Sequence, residues 1–443
     1  MLRLTTLGSR SRRPRRTHLL LLPILTLSLL LTSCGSGEEG DGSDTEADGK
    51  IHLTVWGSRD YYIPPDQFNS LMEENPDLVI DYEVVDTDDI LQRMLRMRDA
   101  GQDLPDVIQD DVFLIEAFKD AELIIPVDEY MATWEEEDPE LYDKLLPIVW
   151  EETSYDDQHW GMSITANFDI LFYNVPWFEE AGVDVPIATF EEVFEAAKDL
   201  KQTRPDKVPF SIQAVQGGGV TGFKGAFVAA GTPFDGAVPD LQSEAGRYVI
   251  DWYQRMQENE LLPKEAIAWG EAETRGAFIS GDAGFLYDGL PIVADFSAIP
   301  DFAYDKEWGV SVWPVETGEA TSGARITSAR TWAISSESEH PYEASLVLRY
   351  LAETDQLVGA VEQGAVPPRQ TEALQDERFL EVWPFFTGDV LQAFIDSAPV
   401  PSGSNAGEVE AVLELLLGEI VTGSDLDAQG LADKYQPQLD ALG

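Results

Sequence analysis

The chain of 443 residues contains only one cysteine, Cys34, and four histidines. One thiol cannot form a disulfide within a monomer, so the fold depends on its apolar core. The histidines beyond residue 33, which are His52, His159 and His340, lack the spacing of metal ligands, and no zinc site is expected. The sequence also lacks the GxSxG, GxxxxGKS/T and HExxH patterns of hydrolases, phosphate-binding loops and metalloproteases. No catalytic motif, metal or cofactor is therefore predicted.

Basic residues are scarce as well: 29 Lys and Arg stand against 82 Asp and Glu, which gives a formal net charge of −53. The acids are spread along the chain, which is typical of a solvated acidic surface and not of an interaction tail. The negative electrostatic potential of such a surface repels nucleic acid and anionic ligands. Because salt screens this repulsion, with a Debye length of about 3 Å in 1 M salt, a saline habitat is a further hypothesis.

Residues 1–33 have the composition of an export signal. They contain six arginines and no acid, and they end in an apolar run of fourteen residues at 19–32. A membrane-spanning helix needs about 20 residues, so this run is better interpreted as the core of a signal peptide. The sequence Leu31-Thr32-Ser33-Cys34 resembles the bacterial lipobox, which implies that Cys34 receives a lipid and becomes the mature N-terminus. The alternative is a secreted protein cut nearby, and the export route, general secretory or twin-arginine, stays open.

An acidic tether and a large globular part follow the signal. Residues 34–49 contain six acids, with Gly and Ser and no large apolar side chain. Such a segment cannot bury enough apolar surface to offset its ordering entropy, so we expect it to be flexible. The chain from Lys50 onwards has ordinary apolar content and is long enough for two lobes.

Strand and helix patterns alternate after Lys50. Strand patterns at 51–56, 76–85 and 104–108 are separated by helix patterns at 65–75 and 88–100. This order predicts a right-handed parallel α/β lobe. Ligands of such sheets bind beyond the carboxyl ends of the strands.

That rule selects the first candidate ligand contacts. Trp56, Arg59 and Asp60 come at the end of the first predicted strand, and Asp110 and Asp111 follow the third. Sugars present apolar faces that stack on aromatic rings, and their hydroxyl groups bond planar polar groups. The alternatives are a core role for Trp56 and solvated charges for the others, and only one of the two adjacent aspartates is expected to enter the cleft.

Landmarks in a fixed order extend from residue 50 to the end of the chain. They are LTVWG at 53–57, LPDVI at 104–108, WGM at 160–162, LFYNVPWFEEAGVDVPIATFEEVFEAAKDLK at 171–201, FISGDAGF at 278–285, WGVSVWP at 308–314 and GAVPPRQ at 364–370. Their order and spacing resemble family 1 of the extracellular solute-binding proteins of ABC importers, the sugar-binding family that includes the maltose-binding proteins. The segment 171–201 is the most specific part of this match.

The resemblance implies an α/β, two-lobe periplasmic-binding-protein-like fold of type II. Crossing strands form a hinge, and the ligand lies in the cleft between the lobes. The first lobe is expected at 50–157 and 315–362, and the second lobe at 158–314 and 363–443. Since the ligand must favour the closed state to shift the hinge equilibrium, both lobes are expected to contact it.

The resemblance also places ligand contacts in the second lobe. They are expected at Asn167 in the segment before LFYN and at Asp288 and Gly289 in a turn. Gln216 and Gly217 in a glycine-rich loop are further candidates, and the alternative there is a flexible loop without a binding role. Glycine at such a position lets the backbone approach a ligand closely.

The sequence departs from the family at two of these points. Asp169 stands where relatives carry a cation, and Pro291 stands where they carry a stacking tryptophan. Another ring must then supply the missing platform. The candidates are Trp269, Trp332 and Phe223, with Arg330 beside Trp332 as a planar donor.

The function implied is a non-enzymatic, monomeric receptor, anchored to the outer face of the cell membrane by the lipid on Cys34. It would capture a neutral sugar or oligosaccharide and deliver it to the membrane permease of an ABC transporter. Two alternatives stay open. The acidity suggests a binder of a cation such as a polyamine, and a surface glycoside hydrolase would need only two suitably separated carboxylates.

Overall fold

The structure is a computed structural model that describes residues 49–58, 65–85, 90–216, 220–316, 325–403 and 405–442. The predicted signal peptide, Cys34 and the tether up to Asp48 lie outside the described residues, as do Arg59, Asp60 and Gly217. The described residues belong to one compact unit. Within them, no helix is long and apolar enough to cross a membrane.

The strands in the described ranges are β1 (Ile51–Ser58), β2 (Leu78–Val85), β3 (Val107–Asp111), β4 (Ser154–Tyr155), β5 (Gln158–His159), β6 (Met162–Asn174), β7 (Val208–Ser211), β8 (Phe234–Asp235), β9 (Val238–Pro239), β10 (Ala283–Gly289), β11 (Trp308–Ser311), β12 (Ile326–Ile334) and β13 (Ala398–Pro399).

The α-helices in the same ranges are α1 (Asn69–Glu74), α2 (Ile90–Asp99), α3 (Ile115–Asp120), α4 (Asp128–Glu137), α5 (Pro139–Lys144), α6 (Ile148–Glu151), α7 (Val175–Ala181), α8 (Phe190–Thr203), α9 (Thr221–Ala229), α10 (Glu244–Glu258), α11 (Glu271–Ile279), α12 (Ile292–Ser297), α13 (Pro341–Leu351), α14 (Thr354–Glu362), α15 (Glu377–Val382), α16 (Gly388–Ile395), α17 (Ala406–Thr422) and α18 (Ala428–Asp440).

The main sheet joins two groups of strands through β6 and β12. Its order is β2-β1-β3-β12-β6-β10-β7, with β11 also paired to β6. β1 is parallel to β2 and to β3, which confirms the predicted parallel start of the fold. β6 pairs with β12 through its first half and with β10 and β11 through its second half. β6 and β12 are therefore the strands that cross between the two halves of the sheet.

The ends of the first and third strands differ from the sequence-based prediction. β1 continues to Ser58 because its whole length pairs with β2, so Trp56 lies inside the strand. β3 starts at Val107, after Asp106 has accepted a hydrogen bond of 2.8 Å from the backbone N–H of Thr54. Asp110 and Asp111 are consequently the last two residues of β3 and do not lie beyond it.

The chain from β6 to α8 shows how the local sequence sets element boundaries. The Asn174 side chain accepts a hydrogen bond from the N–H of Trp177 and begins α7, which ends at Gly182 with a φ of 69°. That left-handed conformation favours glycine. α8 begins with a capping box in which Thr189 and Glu192 bond each other's backbone N–H groups.

Separate apolar cores lie along the two halves of the sheet. One core packs β1 and the end of β12 against α13 and α14, and Leu53, Trp332 and Leu348 are among its buried members. Another packs the far end of β6 against α7, α8, α10, α17 and α18. A further core joins residues of both halves, with Val112, Phe168 and Leu286 among its buried members.

A third crossing segment runs beside β6 at 365–370. The N–H of Ala166 donates to Pro367, and the N–H of Arg369 donates to Ile164 over 2.7 Å. The Arg369 side chain, which is 1% exposed, pairs with the fully buried Glu152 and donates to the Thr327 hydroxyl of β12 over 2.8 Å. The Arg369 guanidinium therefore links the third crossing segment to β12 and to Glu152, which follows α6.

Candidate functional site

A cavity with a volume of about 1020 Å³ lies beside the crossing strands. Asp111 and Phe113 line it on the β3 side, and residues of β6, α9, α11 and β10 line it on the other. Its volume falls at the upper end of the range for small-molecule sites. It is the candidate ligand site.

The β10 wall of the cavity contains a partly buried ion pair. Arg275 of α11 donates two hydrogen bonds to Asp288, of 2.8 and 2.9 Å. The N–H of Gly289 also donates to Asp288, over 2.7 Å. The same guanidinium contacts Glu271, one turn away on α11. Asp288 and Gly289 were both predicted as site residues, and both line the cavity.

Asp169 of β6, the strand paired with β10, also lines the cavity. The side-chain amide of Asn167 donates to Asp169 over 3.0 Å and the Tyr287 hydroxyl over 3.2 Å. The pKa of Asp169 is raised to about 7, mainly by burial and then by the Asp288 carboxylate, although both hydrogen bonds oppose the shift. Asn167 also accepts a hydrogen bond from the N–H of Leu290, so its amide joins β6 to the turn after β10.

Tyr287 is held by two glycines of α9. A Cβ atom at Gly222 would come within 2.6 Å of the tyrosine ring, and one at Gly225 within 2.9 Å of its hydroxyl. On another side the ring packs against Trp313, with ring centroids 4.3 Å apart. The glycines therefore leave the space in which this tyrosine reaches Asp169.

The β3 wall carries a second ion pair. Arg330 of β12 contacts Asp111 over 2.8 Å and Asp110 over 3.8 Å. Asp111 lines the cavity, whereas Asp110 is fully buried outside its lining. Burial raises the pKa of Asp110 to about 7, with smaller opposing contributions from the N–H of Asp111 and from Arg330. The prediction that one of the two aspartates enters the cleft thus points to Asp111.

An aromatic side chain that sequence reasoning missed stands next to this pair. Phe113 lies in the short 3-10 segment after β3 and lines the cavity, yet 42% of its surface is exposed. An exposed ring at a cavity edge can stack on the apolar face of a sugar. Its position two residues after Asp111, in the predicted site, was the sequence feature that could have identified it.

Other predicted residues lie elsewhere. Trp56 is 2% exposed and packs in a core with the Arg93 guanidinium 3.9 Å from its ring centroid. Trp332 is also a core residue, and Gln216 is exposed. None of the three lines the cavity, nor does Arg330. Of the aromatic substitutes considered for the missing tryptophan, Phe223 lines the cavity and Trp269 does not.

A third ion pair completes the lining. Lys224 of α9 is buried and donates to Glu410 of α17 over 3.1 Å. Sequence reasoning did not select either residue, because the two lie far apart in the chain and neither belongs to a recognisable motif. Only the packing of α9 near α17 brings them together.

Comparisons with known proteins give a consistent result. The sequence profile of the bacterial extracellular solute-binding proteins matches residues 58–357, which is more than half of the chain. A binding protein of Brucella abortus is 24% identical over 311 residues, covering 68% of this chain and 72% of its own.

Solved structures show the same fold at low sequence identity. The cyclic α-maltosyl-1,6-maltose-binding protein of Arthrobacter globiformis superposes with a TM-score of 0.72 at 17% identity, covering 89% of this chain and 99% of its own. A solute-binding protein of Agrobacterium radiobacter in complex with ribitol gives a TM-score of 0.69 at 16% identity, with the same two coverages. The expected two-lobe α/β fold is confirmed.

Proposed function

The chain belongs to the bacterial extracellular solute-binding protein family, and we propose that it captures a saccharide or polyol for an ABC importer. The observation that carries this proposal is the large cavity beside the crossing strands, which combines aromatic rings with hydrogen-bonding side chains. We propose further that the lobes divide as the resemblance implies, at 50–157 with 315–362 and at 158–314 with 363–443.

The aromatic content of the cavity supports a sugar-like ligand. Five of its lining residues are aromatic, namely Phe113, Phe210, Phe223, Tyr253 and Tyr287. Phe113 is the exposed ring among them, and Tyr287 lies on the β10 wall. Such rings stack on the C–H faces of a pyranose. The two relatives of known structure described above bind a maltose derivative and a polyol, which agrees with this assignment.

The charges of the cavity argue against a polycation. Asp111, Asp288 and Glu410 are paired with Arg330, Arg275 and Lys224 respectively. A ligand with several ammonium groups would have to approach these fixed cations and displace their partners. Neutral hydroxyl groups can instead bond both members of the Arg275–Asp288 pair, which both line the cavity, because guanidinium groups donate and carboxylates accept.

Binding without turnover is the expected result for the purified protein that begins at Lys50. We expect isothermal calorimetry against a panel of sugars and polyols to give a dissociation constant of about 1 µM, equivalent to about −8 kcal/mol. Chromatography of the same mixtures should recover the sugars unchanged. Release of shorter products would indicate a hydrolase, and binding of spermidine with no sugar bound would indicate the cationic alternative.

Replacement of Cys34 tests the proposed lipid anchor. Two acyl chains on this residue would hold the protein stably at a membrane, since one chain alone is marginal. We therefore expect Cys34→Ala to be released into the medium, while a Ser36→Ala control remains with the membrane fraction. Cys34→Ala protein that resists a carbonate wash would contradict the anchor and leave the solute-binding role intact.

A further inference from the structure

We propose that the saccharide taken by this cavity carries one primary amine, and that its ammonium group docks on Asp169. This inference rests on the proposed function, which it narrows from saccharides in general to amino sugars and aminocyclitols. It follows from Asp169, a cavity carboxylate that has no ion pair within the described residues, whereas the other lining acids have one.

Asp169 differs from the remaining acids of the cavity wall in its partners. Asp111, Glu271, Asp288 and Glu410 each contact Arg330, Arg275 or Lys224. Asp169 has no ion pair within the described residues; its donors are the neutral groups of Asn167 and Tyr287. Each of its oxygens accepts one hydrogen bond from these donors, and a carboxylate oxygen can accept two. One acceptor position on each oxygen thus stays available.

The local balance of charge favours a cation at this point. Three carboxylates, those of Asp169 on β6, Asp288 on β10 and Glu271 on α11, line the cavity together with one guanidinium, that of Arg275. Arg275 is already bonded to Asp288 in bidentate geometry. Asp169 is 8% exposed, so its charge is screened weakly by water, and an opposite charge there gains more than at the surface.

The cations in the cavity lining limit the ligand to one positive group. Lys224 and Arg275 also line the cavity, and a second ammonium on a compact ligand would approach one of them. The rest of the lining offers rings and ion pairs suited to hydroxyl groups, as argued above. One amine on a hydroxylated ring therefore matches the wall better than either a neutral sugar or a polyamine.

Matched sugars provide the test. The purified protein is titrated by calorimetry with D-glucosamine, D-galactosamine and D-mannosamine, each beside its parent sugar and its N-acetyl derivative. A charged donor strengthens a hydrogen bond enough to raise affinity by about tenfold. We expect at least one amine to exceed both its parent and its N-acetyl derivative by that factor, because the parent lacks the nitrogen and the N-acetyl derivative keeps the nitrogen without its charge.

Asp169→Asn is the matched replacement, because it keeps the shape and removes the charge. We expect it to abolish the amine preference, and Asp282→Asn, which changes an acid that pairs with Lys207 and does not line the cavity, to retain it. Tyr287→Phe removes a neutral donor from Asp169 and should also retain the preference. Thermal unfolding of each variant shows whether it is folded, so a failure of Asp169→Asn to fold leaves the amine-to-parent comparison and the Tyr287→Phe result to decide.

The pH dependence of the preference is a second readout. The titratable groups that act on Asp169 are Tyr287 and Asp288 on β10 and Glu271 on α11, and the Arg275 guanidinium is bonded to Asp288. Because burial raises the pKa of Asp169 to about 7, it is mainly uncharged at pH 5.5 and gains its charge as the pH rises. The ratio of amine to parent affinity should therefore increase between pH 5.5 and pH 6.5, where the sugar amine stays protonated, and stay constant in Asp169→Asn.

Two results would overturn the inference: amines that bind no tighter than their parents in all three series, or a preference that survives Asp169→Asn. Binding of the neutral sugars in either case would leave the proposed function standing. If spermidine binds and no saccharide does, the proposed function fails as well, so the two failures are distinguishable.

Discussion

Replacing Arg369 with methionine is expected to lower the free energy of unfolding by about 3–5 kcal/mol. Arg369 is 1% exposed, and its partner Glu152 is fully buried. Removing the guanidinium leaves the Glu152 carboxylate without its cation in a site that excludes water. It also removes the hydrogen bond to Thr327, so a contact between the third crossing segment and β12 is lost.

Equilibrium unfolding in urea measures this loss, and Arg378→Met is the matched control. Arg378 is 41% exposed and pairs with Asp376 and Asp355 at the surface. Surface pairs contribute about 0–1 kcal/mol, so this control should remain close to the parent protein. The double variant Arg369→Met with Glu152→Gln should regain part of the stability, because no unpaired charge remains. An Arg369→Met protein as stable as the control would contradict the assignment.

Replacing Trp56 with alanine is expected to cost about 3–5 kcal/mol of stability and to leave ligand affinity within a factor of about two. Trp56 packs with Val85, Ile90, Met94 and Ile108, and its ring does not line the cavity. Truncation would leave a void in that core and remove the contact with the Arg93 guanidinium. Urea unfolding and calorimetry with a bound sugar measure the two quantities separately.

Phe113→Ala is the opposite case and the natural companion to this test. Its ring is 42% exposed at the cavity edge, so truncation should change stability little. Losing a stacking ring costs about 1–1.5 kcal/mol, which weakens binding by about fivefold to tenfold. If Trp56→Ala instead weakened binding at unchanged stability, the first-lobe platform would be Trp56, as its place in LTVWG suggested.

The contrast between Trp56 and Phe113 shows the limit of arguing from strand ends. The sequence predicted that ligand contacts follow β1 and β3, and on the β3 side this leads to Asp111 and Phe113 in the cavity lining. β1, however, extends two residues beyond Trp56, because pairing with β2 continues to Ser58. Strand propensity and turn residues set an approximate strand end, and the partner strand decides the last residues.

In the second-lobe site, too, the sequence could identify some of the cavity residues and not others. Asn167, Asp288 and Gly289 could be selected because they lie in segments that resemble a known family, and all three line the cavity. Lys224, Glu410 and Arg275 could not, since an ion pair between residues 224 and 410 has no local signature. Asp169 was noted only as a departure from the family pattern.

The sequence by itself determined the parallel start of the fold, the two-lobe class and the solute-binding family. The parallel start depends on the alternation of strand and helix patterns, and the two-lobe class and the family depend on landmarks whose order resembles that of known proteins. Only the tertiary structure decided which acids of the cavity wall are paired and which is not. Pairing depends on the distance and burial of residues that are remote in sequence, so Asp169 and Asp288, both carboxylates of one wall, acquire different partners.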